Sequence, residues 1–288
     1  MDNLSFKKTF GAAQCPAVDF GLKDIPQQAQ KMAGKSSISG VQPKILVNYD
    51  KKNNALVRDD DGQYILKPQT LGPIPYPNVP ENEHCCMDMA AEFGIDVPPH
   101  CLLPLNDQSL AYVVKRFDRK NGEKIHQEDF FQVLEKKEKY DGSVEQIGRK
   151  LREISGVPGL DVQLFFERVV FNFLIGNGDA HFKNYSIYYQ EDGQIRLAPA
   201  YDLVCSHLVT KDEESALKIN GKSNKLERKD FDALADYFKI PPRVRFELFE
   251  KKFNVMKKII GASQIDQEKQ VRFLDLIKER TARLGLAL

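Results

Sequence analysis

From Lys44 to about Phe117 the chain carries short apolar runs of strand length, broken by turn residues. Ile45-Leu46-Val47, Ala55-Leu56-Val57 and, after Asp60-Asp61-Gly62, Tyr64-Ile65-Leu66 predict successive antiparallel strands. A proline-rich stretch comes next (Pro68, Pro73, Pro75, Pro77, Pro80). Past Glu81-Asn82-Glu83, the residues Met87, Ala90, Ala91 and Phe93 recur at helical spacing as far as Gly94. Cys101-Leu102-Leu103 and Ala111-Tyr112-Val113-Val114, joined through Asn106-Asp107, predict two further strands. A sheet with one helix makes a small lobe.

Beyond about Asp118 the spacing turns helical. Leu164, Phe165, Val169, Val170, Phe173 and Leu174 cover so much of the helix predicted from Val162 to Gly176 that it should be the buried spine of a second lobe. A hairpin interrupts the helices, with Ser186 to Tyr189 and Gln194 to Leu197 as strands around Asp192-Gly193. Lys229 to Phe238, Arg243 to Ile259 and Gln267 to Leu284 read as amphipathic helices. The expected class is α+β and bilobal, with a leading segment over 1–35, a small sheet-based lobe over 36–117 and a mainly helical lobe over 118–288.

Composition narrows the function classes. A length of 288 residues suits two lobes with a cleft, and 42 Lys and Arg against 41 Asp and Glu leave a formal charge of +1. That balance speaks against direct nucleic-acid binding and against a polybasic membrane patch. Cys15, Cys85, Cys86, Cys101 and Cys205 form no CxxC pair, so neither a disulfide framework nor a zinc ribbon is encoded. No apolar leader opens the chain and its most apolar stretch is broken by polar residues, so a cytoplasmic protein without a membrane span is expected. His84, Cys85 and Cys86 cluster, but adjacent cysteines on a helix point about 100° apart, which favours core packing over a metal site. His100, His126 and His207 have no motif around them.

The chemistry concentrates in Ile175-Gly176-Asn177-Gly178-Asp179-Ala180-His181-Phe182-Lys183-Asn184, with the hairpin and Tyr201-Asp202 after it. Asp-x-x-x-x-Asn is the spacing of a protein-kinase catalytic loop, where the Asp accepts the substrate hydroxyl proton and the Asn holds magnesium. A two-stranded hairpin brings its flanks back to one end, which places Asp202 as a second metal ligand beside Asn184. Lys183 offers a cation for a transferred phosphoryl group. The plainer reading is that Asp179 and Asn184 cap turns; the hairpin and Asp202 favour catalysis. In the small lobe Lys67 ends a strand and Glu83 opens the next helix, the pair that would contact ATP phosphates and steady that contact, with Glu81 as competing partner. Gly34-Lys35-Ser36 mimics a Walker A tail, but Ala29 stands where that pattern needs glycine. The Gly/Ser loop from 34 to 44 reads equally as a phosphate cover or as a linker.

With these pieces in order, the sequence resembles the HipA-like serine/threonine kinases, toxin components of bacterial toxin–antitoxin systems. The resemblance runs from Ser36 to the C-terminus through Ser37-Ile38-Ser39-Gly40-Val41-Gln42-Pro43-Lys44, Tyr64-Ile65-Leu66-Lys67-Pro68, Glu81-Asn82-Glu83, Val113-Val114-Lys115-Arg116-Phe117-Asp118-Arg119, Gln127-Glu128-Asp129, Asp179-Ala180-His181-Phe182-Lys183-Asn184 and Tyr201-Asp202. It implies a kinase-like fold using ATP and Mg2+, with Ser39, Gly40, Val41, Gln42, Pro43 and Lys44 over the phosphates and Lys67 touching them. It further implies an adenine hinge at the backbone of Lys115, Arg116 and Phe117, Asp179 as base, His181, Lys183 and Tyr201 near the nucleotide, and Asn184 and Asp202 on magnesium. Autophosphorylation is implied at Ser37, with Ser39 next, and a phosphoserine of about −1.5 to −2 charge would repel ATP.

The implied substrate is a translation component, an aminoacyl-tRNA synthetase, and the implied partners are a small HipS-like and a DNA-binding HipB-like antitoxin. Only 35 residues precede Ser36, which reads as the short HipT-like form whose missing subdomain is a separate protein. Lys115 stands where the family often has an acidic residue, which leaves the hinge contact to the backbone, and Gln127-Glu128-Asp129 has no derivable role. Two other readings are a small-molecule or lipid kinase, which the motif Tyr201-Asp202-Leu203 disfavours, and a catalytically weak antitoxin-binding protein, which the intact set of Lys67, Asp179, Asn184 and Asp202 disfavours.

Overall fold

The computed structural model describes residues 3–25, 43–69, 78–120, 122–210 and 213–287. The chain divides into two compact units, Met1–His84 with Pro98–Glu123, and Cys85–Val97 with Lys124–Leu288. This differs from a division at residues 36 and 118 in three places. Residues 3–25 are built into the first unit, 118–123 also count with it, and 85–97 count with the second.

The first unit contains helix α1 (Asn3–Phe10) and strands β1 (Ala17–Val18), β2 (Ile45–Asp50), β3 (Ala55–Arg58) and β4 (Tyr64–Pro68). Helix α2 (Val79–Glu92) begins there, and β5 (His100–Pro104) and β6 (Leu110–Lys115) complete a sheet of order β1-β3-β2-β4-β6-β5. β1 lies parallel to β3 and every other pair is antiparallel, as the alternating runs predict. Strand side chains alternate between faces, so Ile45, Val47, Tyr64, Leu66, Cys101, Leu103, Ala111 and Val113 share one face and bury it with Phe6 and Phe20. Phe10 of α1 packs on Tyr64 with ring centroids 4.9 Å apart. The same alternation puts Lys67, Leu102 and Tyr112 on the opposite face, where they pair in register.

The short strands β7 (Arg119–Lys120) and β8 (Glu123–Lys124) lead toward the second unit, with β9 (Gln127–Asp129), α3 (Phe130–Val133), α4 (Val144–Ile154) and α5 (Pro158–Ile175). Then come β10 (Ser186–Tyr189), β11 (Ile195–Leu197), α6 (Arg228–Tyr237), α7 (Phe253–Ala262) and α8 (Gln267–Arg283). α5 is the expected spine, begun by Pro158 in its first turn and buried from Val162, Phe165 and Phe166 through Val169 to Ile175. Phe165 meets Tyr185 at 5.1 Å and Phe238 at 6.0 Å, Phe173 meets Phe231 at 5.0 Å, and Phe93 meets Phe171 at 5.6 Å. Cys85, Cys86 and Cys205 are buried, in line with core packing. Among the described residues no helix is long and apolar enough to cross a membrane.

One sequence expectation about the helices is corrected. Arg243 to Ile259 is not one helix, because short 3-10 turns at Pro242–Val244 and Glu247–Phe249 precede α7 and Lys251, just after them, takes a left-handed φ of 58°. Phe246 and Phe249 are buried by these turns, so burial outweighs the helical period. The expected hairpin forms, and β9 adds a third strand to it, pairing with β10 to give the antiparallel order β11-β10-β9.

One carboxylate ties α5 to the hairpin. Asp161, in the first turn of α5 and fully buried, accepts from Arg196 Nε and Nη2 at 3.0–3.1 Å, Ser155 Oγ at 2.6 Å and the Leu197 N–H at 3.0 Å. Asp161→Asn strips the charge from a fully buried carboxylate that faces the half-buried Arg196 guanidinium and forces one donor against another, so urea unfolding should report a loss of about 3 kcal/mol.

Candidate active site

The catalytic-loop motif begins where α5 stops. Gly176 has φ 75° and ψ 34°, and the N–H groups of Gly176 and Asn177 turn back to the carbonyls of Phe173 and Asn172 at 3.1 and 2.9 Å. A Cβ at this position would lie 2.5 Å from Leu276 Cδ2, so both conformation and space call for glycine. Ser206 staples the exit, its hydroxyl donating to the Gly176 carbonyl at 3.3 Å and accepting from the Gly178 N–H at 2.9 Å. Buried Asn177 donates to Asn172 Oδ1 at 2.9 Å and to the Asp202 carbonyl at 3.4 Å. His207, left without a role by sequence, lies 3.1 Å from the Gly176 carbonyl through Nδ1 and 3.0 Å from Arg280 Nη2 through Nε2.

From there the loop presents its polar residues one by one. Asp179 is exposed, and its Oδ1 accepts from the Tyr140 hydroxyl at 2.7 Å. His181 is buried with Lys139 Nζ 3.0 Å from its Nε2, and burial first and that ammonium second hold its imidazole below the usual range, hence neutral. The His181 N–H donates to Asn184 Oδ1 at 3.0 Å, and Asn184 Nδ2 reaches Asp202 Oδ2 at 3.4 Å. The hairpin thus brings together two residues eighteen apart in sequence. Asp202 has a left-handed φ of 53°, a conformation Asp tolerates better than most residues.

The donor types of this pair suit a hard divalent cation, although it is Asn184 Nδ2, not Oδ1, that faces Asp202, so ligation by both residues needs the amide turned over. A carboxylate and an amide oxygen are the ligand types magnesium prefers, and Asn184 Oδ1 keeps a second lone pair beyond its bond from His181.

Lys183 Nζ stands 4.5 Å from the Phe131 ring centroid. Tyr201, expected against the nucleotide, spends its hydroxyl inside the loop, donating to the Lys183 carbonyl at 2.9 Å and bonding Ser186 Oγ, and burial raises its phenol well above the ordinary range. Gln127-Glu128-Asp129 now has a structural part. It forms β9, Glu128 accepts from Tyr189 at 2.9 Å, and Asp129 caps α3 by accepting from the Gln132 N–H at 2.9 Å. Burial pushes the Asp129 carboxyl above its usual range, against the pull of that N–H and of the Lys183 ammonium.

In the first unit, β4 is an interior strand, and Lys67 Nζ lies 2.5 Å from Glu83 Oε1 with both side chains buried. Glu83 is thus an observed partner of Lys67. The ammonium also sits 5.7 Å from the ring centroid of Tyr112. The Lys115 and Arg116 N–H groups are taken up within the unit, by the Pro99 and Gln63 carbonyls at 2.8 Å each. The Arg116 side chain is equally committed, with a two-point bond to Asp118 at 2.9 and 2.7 Å. A contact to adenine at this segment therefore falls to carbonyl oxygens or to Phe117. Pro43 and Lys44 are half-buried at the start of β2, whereas Ser37, Ser39, Gly40, Val41 and Gln42 lie outside the described residues.

Sequence reasoning missed Lys139, Tyr140, Asn177 and Ser206. Asn177 and Ser206 flank motif residues, but Lys139 and Tyr140 precede the loop by some forty residues with no local pattern to mark them.

Comparison with known proteins gives these residues a context. Residues 36–263 match the HipA-like C-terminal domain family, and the chain belongs to that family. A Haemophilus influenzae protein named as a candidate kinase is 34% identical over 205 residues, covering 66% of this chain and 58% of its own. The candidate kinase Y4dM of Sinorhizobium fredii is 35% identical over 228 residues, covering 72% and 54%. The chain spans about half the length of these curated relatives. Among solved structures, a chain of the Shewanella oneidensis complex of the toxin–antitoxin proteins HipA and HipB with operator DNA superposes with a TM-score of 0.71 at 21% identity, over 93% of this chain and 72% of that one. The Helicobacter pylori proinflammatory kinase CtkA gives 0.60 at 18%, over 93% and 95%. The fold is the HipA and CtkA kinase fold.

The buried Lys67–Glu83 pair makes a stability prediction separate from activity. Lys67→Met takes the ammonium away from the buried Glu83 carboxylate and should cost about 3–5 kcal/mol in chemical unfolding, whereas the double change Lys67→Met with Glu83→Met should recover most of that loss.

Proposed function

We propose that this HipA-family chain is an ATP-dependent serine/threonine protein kinase acting as the toxin of a toxin–antitoxin system. The observation that carries the reading is the exposed Asp179 carboxylate on the loop whose other end brings Asn184 within 3.4 Å of Asp202. Phosphoryl transfer asks mainly for positioning and for neutralisation of charge, and these residues supply both kinds of group. Asp179 takes the proton of the acceptor hydroxyl as its oxygen attacks the γ-phosphorus and the bond to ADP breaks. Asn184 and Asp202 would hold magnesium, which when bound neutralises charge on the phosphate oxygens. Lys67, steadied by Glu83, meets the phosphates, with Lys183 as a further cation. Placed cations of this kind suit a chain whose formal charge is only +1.

The substrate class is a translation component, an aminoacyl-tRNA synthetase, and the partners are small HipS-like and DNA-binding HipB-like antitoxins. Support for the latter is that the Shewanella oneidensis structure holds HipA with HipB and operator DNA. Self-phosphorylation falls on Ser37 or Ser39, where the added charge would oppose ATP entry.

Incubation with γ-labelled ATP and magnesium tests the reading. The wild type should label itself at Ser37 or Ser39, and Asp179→Asn should lower the rate by about 10²- to 10⁴-fold. Labelling that survives this substitution contradicts the assignment.

A further inference from the structure

The segment just before α4 runs along the catalytic loop and touches its exposed acid. A carboxylate on an exposed loop turns freely about its side-chain bonds, and a general base works only when one oxygen is aimed at the acceptor proton. The Tyr140 hydroxyl donates to Asp179 Oδ1 at 2.7 Å, and among the described residues no hydrogen bond falls on Oδ2. The contact thus fixes one oxygen and leaves the other for an incoming hydroxyl.

Tyr140 is itself fixed from several directions. Its ring meets His181 edge-on at 5.2 Å and 67°, and Lys139 Nζ lies 4.6 Å from its centroid. On one side the Phe182 N–H donates to the Lys139 carbonyl at 3.3 Å, and Lys136 stands 4.8 Å from the Phe182 ring while donating to the Asp141 carbonyl and to Gln146 Oε1 at 3.0 Å each. On the other side Lys218 bonds both the Gly142 carbonyl and the Val144 N–H at 3.0 Å. Gly142 packs so closely that a Cβ there would come within 2.5 Å of Phe182 Cζ. The strap is therefore tied to the loop through Phe182 and, at its other end, to the backbone of Lys218, although Tyr140 remains 49% exposed. A residue that merely decorates the surface needs no such anchoring, and one that must leave for each substrate gains nothing from it.

The geometry points to Tyr140 as a positioning residue for phosphoryl transfer, orienting Asp179 through its hydroxyl while the strap from Lys136 to Val144 holds its ring. The inference rests on the proposed role of Asp179 as base. Tyr140 touches neither ATP nor the acceptor in this scheme, so its loss should appear in turnover and not in nucleotide affinity.

Single-turnover self-labelling by the full chain over a range of ATP·Mg concentrations tests it. Tyr140→Phe should lower the maximal rate about 10- to 100-fold, leaving the ATP concentration for half-maximal rate and the unfolding midpoint unchanged. Gly142→Ala, which displaces the strap with Tyr140 intact, should lower the maximal rate in the same direction. An active wild type with an unaltered rate in Tyr140→Phe overturns this inference alone. A faster Tyr140→Phe, which makes Tyr140 a plug, or label found on Tyr140 itself, which makes it an acceptor, also overturns it. A wild type that transfers no phosphate removes the kinase reading and this inference together.

Discussion

The way α5 ends decides where the catalytic loop can go. A buried helix of eighteen residues leaves its last carbonyls without partners, and the left-handed Gly176 folds the chain back onto them while clearing Leu276. Ser206 and His207 reach the Gly176 carbonyl from a segment beyond the hairpin. The loop is consequently held at its root from both directions of the chain. Asp179 emerges exposed shortly afterwards, and Asn184 leads into β10 at a fixed place. Because the hairpin returns beside its own start, Asp202 arrives next to Asn184 without any long-range coincidence. One backbone turn and one short hairpin thus assemble an acid and a pair of metal-ligand types.

Three buried charges come with their own compensation. Asp161 is gripped by Arg196, Arg116 by Asp118 and Lys67 by Glu83, as ions taken out of water must be. The Lys67 pair gains direction from its interior strand, because the neighbouring Tyr112 ring and the sheet restrict where the ammonium can go. A surface lysine would offer the same charge but no direction. Tyr201 illustrates the reverse outcome: its hydroxyl serves the Lys183 carbonyl and Ser186, so it holds the loop to the hairpin.

Much of this was legible from residue order because it depends on local periods. Alternation in the runs around Val47, Leu66 and Val113 marked the strands, Asp192-Gly193 marked the hairpin, and a helix apolar on nearly every side had to be buried. The Lys67 and Glu83 pairing was accessible because strand end and helix start lie close together in sequence. The features that escaped depend on partners distant in sequence. The pairing of β9 with β10, the break at Lys251 and the reach of Lys139 and Tyr140 onto the loop have no period of their own. Pairing, burial and anchoring to remote segments decide them. The hinge expectation was sharpened in the same way, since only the fold reveals that the Lys115 and Arg116 N–H groups are already engaged.

The proposed phosphoryl transfer requires Asn184 and Asp202 to hold a cation beside the Asp179 loop. Binding of Mn2+ in the presence of ATP, read by enhancement of water-proton relaxation, tests it most directly. The wild type should show an ATP-dependent enhancement that Asp202→Asn abolishes while the variant keeps its unfolding midpoint. Equal enhancement in wild type and variant would contradict the account.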